Sequence, residues 1–341
     1  MSTGTVDVVI VAYRSQELIE RCVDAAGRID GLDRLIVIDH GDDGSGALAR
    51  LAGATVRDDQ TNPGFGTGQN RGLELGAAPY VLVLNPDAEP RPSAIAAGIR
   101  YLDAHNDVAV VQGVIRDATT LQPERSQGRE LGLVHLFGRA LGARRLHGSS
   151  SVRWVARHVP PLRDHVERLP DKPTAVVSLA ATAWLARRTA LQRVGGFDER
   201  YFLYGEDLDL CRRLRLDGWR LVASPMEWAA HAQGSSADSG FGRELAWWAG
   251  TMRFAARWWS APRWTAALLA AGVRWVGLAS RRPWAAGRAW RATVGAGLTT
   301  RADRRPSGQS TLAGSAGAPL MSSIRCRATR ADSTVRSSTT I

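Results

Sequence analysis

The sequence predicts an α/β fold built on a mainly parallel central sheet flanked by helices. Three observations carry that expectation. Short apolar runs rich in β-branched residues, Val6–Ala12, Leu35–Asp39 and Tyr80–Leu84, alternate with segments of helical spacing. The last of these runs stops at Asn85-Pro86-Asp87. A glycine-rich stretch, Asn62–Gly72, leads into a helix.

In chain order, Val6–Ala12 reads as a buried strand and Gln16–Gly27 as a helix with Leu18, Cys22 and Ala25 on one side. Leu35–Asp39 is a second strand, Ala47–Ala52 a helix and Ala54–Arg57 a third strand. A helix over Asn70–Gly76 precedes the strand Tyr80–Leu84. Right-handed crossovers put the loops after these strands on one edge, where ligands bind in open α/β sheets. The stretch Arg116–Asp171, with its Arg, His, Gly and Pro160-Pro161, reads as loops and short helices covering a site. Order returns with a strand at Val176–Ala186 and a helix at Thr189–Val194 ended by Gly195-Gly196. A helix at Asp207–Asp217 stops at Gly218, and Arg220–Ala223 is a short strand. Residues 1–240 are therefore expected to form the main domain, divided into 1–115, a variable 116–175 and 176–240. Residues 241–300 form a helical extension. Residues 301–341, rich in Ser, Thr, Gly and Arg, are expected to be disordered.

The chain of 341 residues carries 44 basic and 33 acidic side chains, a net charge of +11. The excess is local. From Phe241 to Ile341 there are 16 arginines against Glu244, Asp303 and Asp332. The first 240 residues are close to neutral, which argues against a nucleic-acid coat over the whole surface. The three cysteines, Cys22, Cys211 and Cys326, have no CxxC spacing, so free thiols are expected rather than a disulfide frame or zinc site. The N-terminus lacks a signal-peptide pattern and no uncharged apolar stretch of about 20 residues occurs, so a cytoplasmic location is expected.

Four segments carry chemistry. Asp87 projects from the end of a buried strand, beyond Pro86, and one such carboxylate suits a divalent ion on a diphosphate. The glycines of Asn62–Gly72 allow close backbone approach, and the following helix offers free N–H groups, although a Walker loop is absent. Glu206-Asp207-Leu208-Asp209 opens a helix after the aromatic Tyr201–Tyr204. Acids there suit the helix dipole, and a carboxylate held against apolar surface can also take a proton. His231 follows the last strand and gains meaning only beside a metal.

In this order the segments VVIVAYRS, LIVIDH, NPGFGTGQNRG, LNPDAEP, VGGFDERYFLYGEDLDLCRRLRLDGW and HAQGSS resemble the family 2 inverting glycosyltransferases, in their rhamnosyltransferase-like branch. The likeness runs from Val6 to Ser236. It implies the GT-A fold with C-terminal helices, a nucleotide-sugar donor and Mg²⁺ or Mn²⁺. It further implies that Tyr13 and Asp39 line the nucleotide base and that Asn85 faces the ribose. Asn70 joins the donor side. Asp87 would hold the metal, with His231 as a further metal or phosphate contact. Asp207 would be the base for the acceptor hydroxyl, with Glu206, Asp209 and Asp198 supporting the acceptor side.

The activity so implied moves a sugar, L-rhamnose from dTDP-L-rhamnose in the first instance, to a cell-surface glycan or lipid-linked acceptor. A UDP-hexose donor on the same fold and a non-catalytic basic binding protein are the alternatives. No nucleic-acid partner is expected. Eight of the 12 tryptophans lie in 241–300. Helical spacing puts Leu245, Trp248, Met252, Ala256 and Trp259 on one face and Arg243, Arg253 and Arg257 on the other. That pattern suits peripheral attachment to an anionic inner membrane face. It equally suits packing on the catalytic body or a homodimer through 241–300.

Overall fold

The structure is a computed structural model that describes residues 4–124, 126–128, 130–141, 169–232, 240–279 and 283–303. The tail beyond residue 303 and much of the 116–175 segment, for which disorder and covering loops are expected, lie outside the described residues.

The first half lays down β1 (Val6–Ala12), α1 (Ile19–Gly27), β2 (Leu32–Asp39), α2 (Ser45–Leu51), β3 (Thr55–Asp58), α3 (Phe65–Leu75) and β4 (Tyr80–Leu84). Next come β5 (Ala88–Pro90), α4 (Pro92–Ala104), β6 (Val108–Asp117), β7 (Gln127–Gly128) and α5 (Leu133–Ala140). The second half adds β8 (Thr174–Val176), β9 (Ser178–Leu179), β10 (Ala183–Arg187), α6 (Arg188–Arg193), α7 (Glu206–Leu216) and β11 (Arg220–His231). Three helices close the described chain: α8 (Gly240–Trp258), α9 (Ala261–Ala279) and α10 (Pro283–Ala302).

The sheet runs β3-β2-β1-β4-β10-β6-β11-β5, with β8 beside β11. Pairings from β3 to β4 are parallel, as is β6 with β11. Strand β10 is inserted antiparallel between β4 and β6. Period-two alternation sends Val6, Val8 and Ile10 of β1 into the core under α1 and α4, and Val9 and Val11 into the core under α3, α6 and α7. Every residue of β1 and β4 is buried, which is why these strands read as unbroken apolar runs.

Three elements differ from expectation. Helix α3 begins at Phe65, so the glycine run is its first turns rather than a free loop. A Cβ at Gly68 would stand 2.7 Å from Val11 Cγ2, and one at Gly72 would overlap Val9. These glycines let α3 lie down on β1, and Gly64, at φ +114, is pressed against the Phe202 backbone. Their small size serves helix–sheet packing. Second, the expected strand Val176–Ala186 is three pieces, β8, β9 and β10. Third, β11 runs on to His231 rather than ending at Ala223, because residues 227–231 pair with β5 and the end of β6.

The helices after residue 240 form a third core with α5 and the loop before α7. It contains Leu136, Tyr201, Leu245, Trp248, Met252, Trp259 and Trp275, all buried. The stripe Leu245, Trp248, Met252, Ala256 and Trp259 therefore faces protein, not a membrane. Large exposed apolar side chains sit instead on α9 (Leu269, Val273 and Val276) and α10 (Trp284, Trp290 and Leu298). Among the described residues no helix is long and apolar enough to cross a membrane.

Candidate active site

Three neighbouring parallel strands end together. Tyr13 follows β1, Asp39 closes β2 in register with Ala12, and Asn85 follows β4. The carboxyl edge of the sheet, where ligands bind in open α/β sheets, thus gathers three of the expected donor-side residues. Asp39 is buried and both its oxygens accept backbone hydrogen bonds, from Gly41 N–H (3.0 Å) and Gly46 N–H (2.8 Å). Burial pushes its carboxyl above the ordinary aspartate range, and the two N–H groups hold it back. Asp39 thereby shapes the loop that enters α2. Tyr13 lies under the Arg14 guanidinium at 5.3 Å, and Arg14 takes a positive φ of 52 at the strand exit.

Asn70 sits on α3 with its amide turned to the Gly196–Glu199 loop. Its Nδ2 donates to Phe197 O (2.9 Å) and Glu199 Oε1 (3.0 Å), and its Oδ1 accepts from Phe197 N–H (2.8 Å). The amide is spent on fastening α3 to the Gly196–Glu199 loop.

Asp87 and His231 meet through sheet pairing. Strand β11 sets His231 opposite Ala88 of β5, and Ala232 N–H donates to Asp87 O (2.8 Å). His231 Nε2 then lies 3.0 Å from Asp87 Oδ1. On its other side His231 Nδ1 lies 2.9 Å from Glu124 Oε2 and 3.0 Å from Oε1. Burial opposes a charged ring, but the hydrogen bonds and charges of Asp87 and Glu124 prevail and raise its pKa to about 10. The imidazolium bridges two carboxylates. Glu124 has no place in the sequence reading, because its signal lies in a hairpin after β6 that only the fold brings back under β11.

An oxygen and a nitrogen that share an octahedral ion at about 2.1 Å stand roughly 3 Å apart when they occupy adjacent positions. The Asp87–His231 separation fits that requirement. Among the described residues no group of three or more His, Cys, Asp or Glu is arranged to hold a metal alone. A metal here would need further oxygens, which a diphosphate and water supply.

Glu206 and Asp207 open α7 after Gly205, which adopts φ +91. Glu206 is buried and its Oε2 has no hydrogen-bond partner among the described residues. Burial, and then the neighbouring Asp207 charge, push its carboxyl well above the ordinary range. Burial also raises Asp207, but N–H groups of Leu208 and Ala181 favour its ionised form. The Leu208 N–H on Asp207 and the unpartnered Oε2 of Glu206 favour ionisation at Asp207 over Glu206. Asp207 is the less buried of the two. The segment supplying Ala181 also supplies Thr182 O, which accepts Asn85 N–H at 2.9 Å. One short stretch before β10 thus touches both the strand end at Asn85 and the carboxylate of Asp207.

Asp209 and Asp198 point elsewhere. Asp209 is buried, with Oδ2 on Arg213 Nε (2.7 Å) and Oδ1 on Trp258 Nε1 (2.8 Å). Arg257 of α8 pairs with both Asp198 and Asp209. These acids clamp α8 to the body; they do not converge on the Asp207 carboxylate.

Solved structures of similar fold include S. aureus TarS, with TM-score 0.52, 13% identity and coverage of 88% of this chain and 82% of that one. They also include a Pyrobaculum calidifontis mannosyltransferase in complex with GDP-Man and Mn²⁺, with TM-score 0.51, 16% identity and coverage of 89% of each chain. This is the GT-A fold, and the protein is a glycosyltransferase. The model of the family described as glycosyl transferase family 2 matches residues 7–195, and the chain belongs to that family. Among its relatives is the N-acetylglucosaminyl-diphospho-decaprenol L-rhamnosyltransferase of Mycobacterium tuberculosis, 28% identical over 77% of this chain and 89% of that protein. Rhamnosyltransferase WbbL of Escherichia coli is 25% identical over 73% of this chain and 92% of that protein.

Proposed function

We propose that the protein transfers L-rhamnose from dTDP-L-rhamnose, with inversion, to a hydroxyl of a lipid-linked glycan used in cell-envelope polysaccharide synthesis. The observation that carries the mechanism is the spatial order of groups: strand ends with Tyr13, Asp39 and Asn85, then Asp87 with His231, then Asp207 at the head of α7. Relatives whose names specify L-rhamnosyl transfer, one of them to a decaprenol-linked sugar, support the donor and acceptor class.

Tyr13 and Asp39 bound the nucleotide side and Asn85 the ribose side. Asp87 and His231 would hold a divalent ion, which when bound neutralises charge on the departing diphosphate. The imidazole ligand favours Mn²⁺ over Mg²⁺. Asp207 accepts the acceptor proton as that oxygen attacks the anomeric carbon from the face opposite the diphosphate. One base suffices for a single displacement, and Glu206 keeps its proton beside it. Asn70, Asp198 and Asp209 support these groups through packing and ion pairs.

The exposed apolar residues of α9 and α10 stand beside exposed Arg263, Arg288 and Arg291, and these helices contain no acidic residue. That combination fits an anionic membrane surface on the cytoplasmic side, where a lipid-linked acceptor is presented. The test is product formation with a panel of dTDP-L-rhamnose, UDP-glucose, UDP-galactose and UDP-GlcNAc against a polyprenyl-diphosphate-linked sugar, with Mn²⁺ or EDTA. Rhamnosylated product dependent on Mn²⁺ is expected. Turnover of a UDP-hexose alone would replace the donor assignment.

A further inference from the structure

Glu124 lies where no reading of the sequence put a functional group. Its backbone N–H donates to Ile115 O at 2.8 Å, and Pro123 bridges to Arg116, so the chain after β6 doubles back along its own strand. The turn between is held by Asp117 Oδ1, which accepts from Thr119 N–H (3.0 Å) and from the N–H and hydroxyl of Thr120. This hairpin delivers the Glu124 carboxylate to His231 Nδ1, with both oxygens within 3.0 Å. The side chains of Glu124 and His231 are each largely buried, so water competes poorly for the contact. Strand pairing fixes the His231 backbone from both sides, to β5 and to β6, leaving ring rotation as its main freedom.

We propose that Glu124 is the positioning residue for His231: it accepts a hydrogen bond from Nδ1–H and so aims Nε2 at the ion shared with Asp87, the Nε2 proton leaving to solvent as the ion binds. This rests on the metal reading above. An imidazole has two tautomers and two ring orientations, and a carboxylate on one nitrogen selects the tautomer that presents the other. Glu124 acts through His231 and does not itself join the ion.

The experiment titrates Mn²⁺ into the full chain with dTDP present, following free Mn²⁺ by electron paramagnetic resonance. It compares wild type with Glu124→Ala, Glu124→Asp, Glu124→Gln, His231→Ala and Asp87→Ala. Melting temperature is measured alongside for each. Glu124→Ala and Glu124→Asp, which remove or retract the acceptor, are expected to weaken Mn²⁺ binding about 10- to 100-fold. Glu124→Gln keeps a carbonyl acceptor and is expected to stay within about threefold of wild type. Wild-type Mn²⁺ affinity in both Glu124→Ala and Glu124→Asp, with Asp87→Ala and His231→Ala still impaired, overturns the positioning role and spares the metal site. Equal loss in Glu124→Gln and Glu124→Ala also overturns it, since charge or direct ligation is then at work. Absence of Mn²⁺ binding in the wild type overturns the metal reading and this inference together.

Discussion

Gly250 of α8 lies against the Tyr204 carbonyl, three residues before Asp207. A Cβ at 250 would overlap that oxygen and approach Leu203 O at 3.1 Å, while Gly205 meets Gly250 O in return. The helix that follows the sheet domain is thus seated on the turn that presents Glu206 and Asp207. Alanine is the better helix former, so Gly250→Ala would stabilise an isolated helix by up to about 1 kcal/mol. Here overpacking is expected to prevail and cost about 1–3 kcal/mol, read as a lower melting temperature. Turnover should fall more than donor affinity because the turn carries the proposed base, Asp207.

Asp207→Asn is expected to keep donor binding and lose turnover by about 10²- to 10⁴-fold. The wild-type rate should fall as pH drops through the Asp207 pKa, because the base works only when ionised. Burial raises that pKa, so the acid limb should lie above the ordinary aspartate range. A pH profile of single-turnover rates for wild type and Asp207→Asn checks both points. If Glu206→Gln loses turnover instead, the roles of the two acids are exchanged.

Glu206→Gln tests the buried proton. In the folded chain Glu206 holds its proton well above 4.5, whereas in the unfolded chain it releases it there. Folding then binds the extra proton, so wild-type stability declines as pH rises above 4.5, by at most about 1.4 kcal/mol per pH unit. The glutamine variant lacks this term. Its melting temperature should gain on that of the wild type over the window that opens as pH rises above 4.5. Parallel curves across the window would mean Glu206 is ionised in the fold.

Asp87→Ala should abolish the Mn²⁺-dependent part of donor binding while leaving the melting temperature near that of the wild type. Calorimetric titration of dTDP with Mn²⁺ or with EDTA measures this. Equal donor affinity in EDTA for wild type and variant would remove the metal from the mechanism.

Val276 is 72% exposed, Leu269 63% and Trp284 88%. The full chain is expected to float with phosphatidylglycerol vesicles at low salt and less at high salt, since the surrounding arginines are screened. Leu269→Glu with Val276→Glu should reduce flotation and leave folding intact, because neither side chain is in the core. A dimer in solution that the double variant dissociates, with no vesicle binding, would make this face a protein interface.

The sequence by itself determined the α/β class, because β1 and β4 are buried on both faces and so read as continuous apolar runs. It also singled out Asp87, beyond Pro86 at the end of a strand, and Asp207, after the aromatic Tyr201–Tyr204, as candidates. Such signals need no knowledge of distant chain. Tertiary structure decided the rest. Gly68 and Gly72 read in the sequence as ligand-approach glycines, and in the fold they let α3 lie on Val11 and Val9. The Trp248 and Trp259 stripe has the spacing of a membrane face and of a core face alike, and only the partner surface, α5 with Tyr201 and α9 with α10, distinguishes them. Asp209 and Asp198 look like site acids until Arg257 arrives from α8. The Glu124–His231–Asp87 line joins positions over 100 residues apart. Hydrophobic spacing and turn chemistry act over a few residues, whereas an ion pair or a ligand set depends on which strand ends the sheet order makes neighbours.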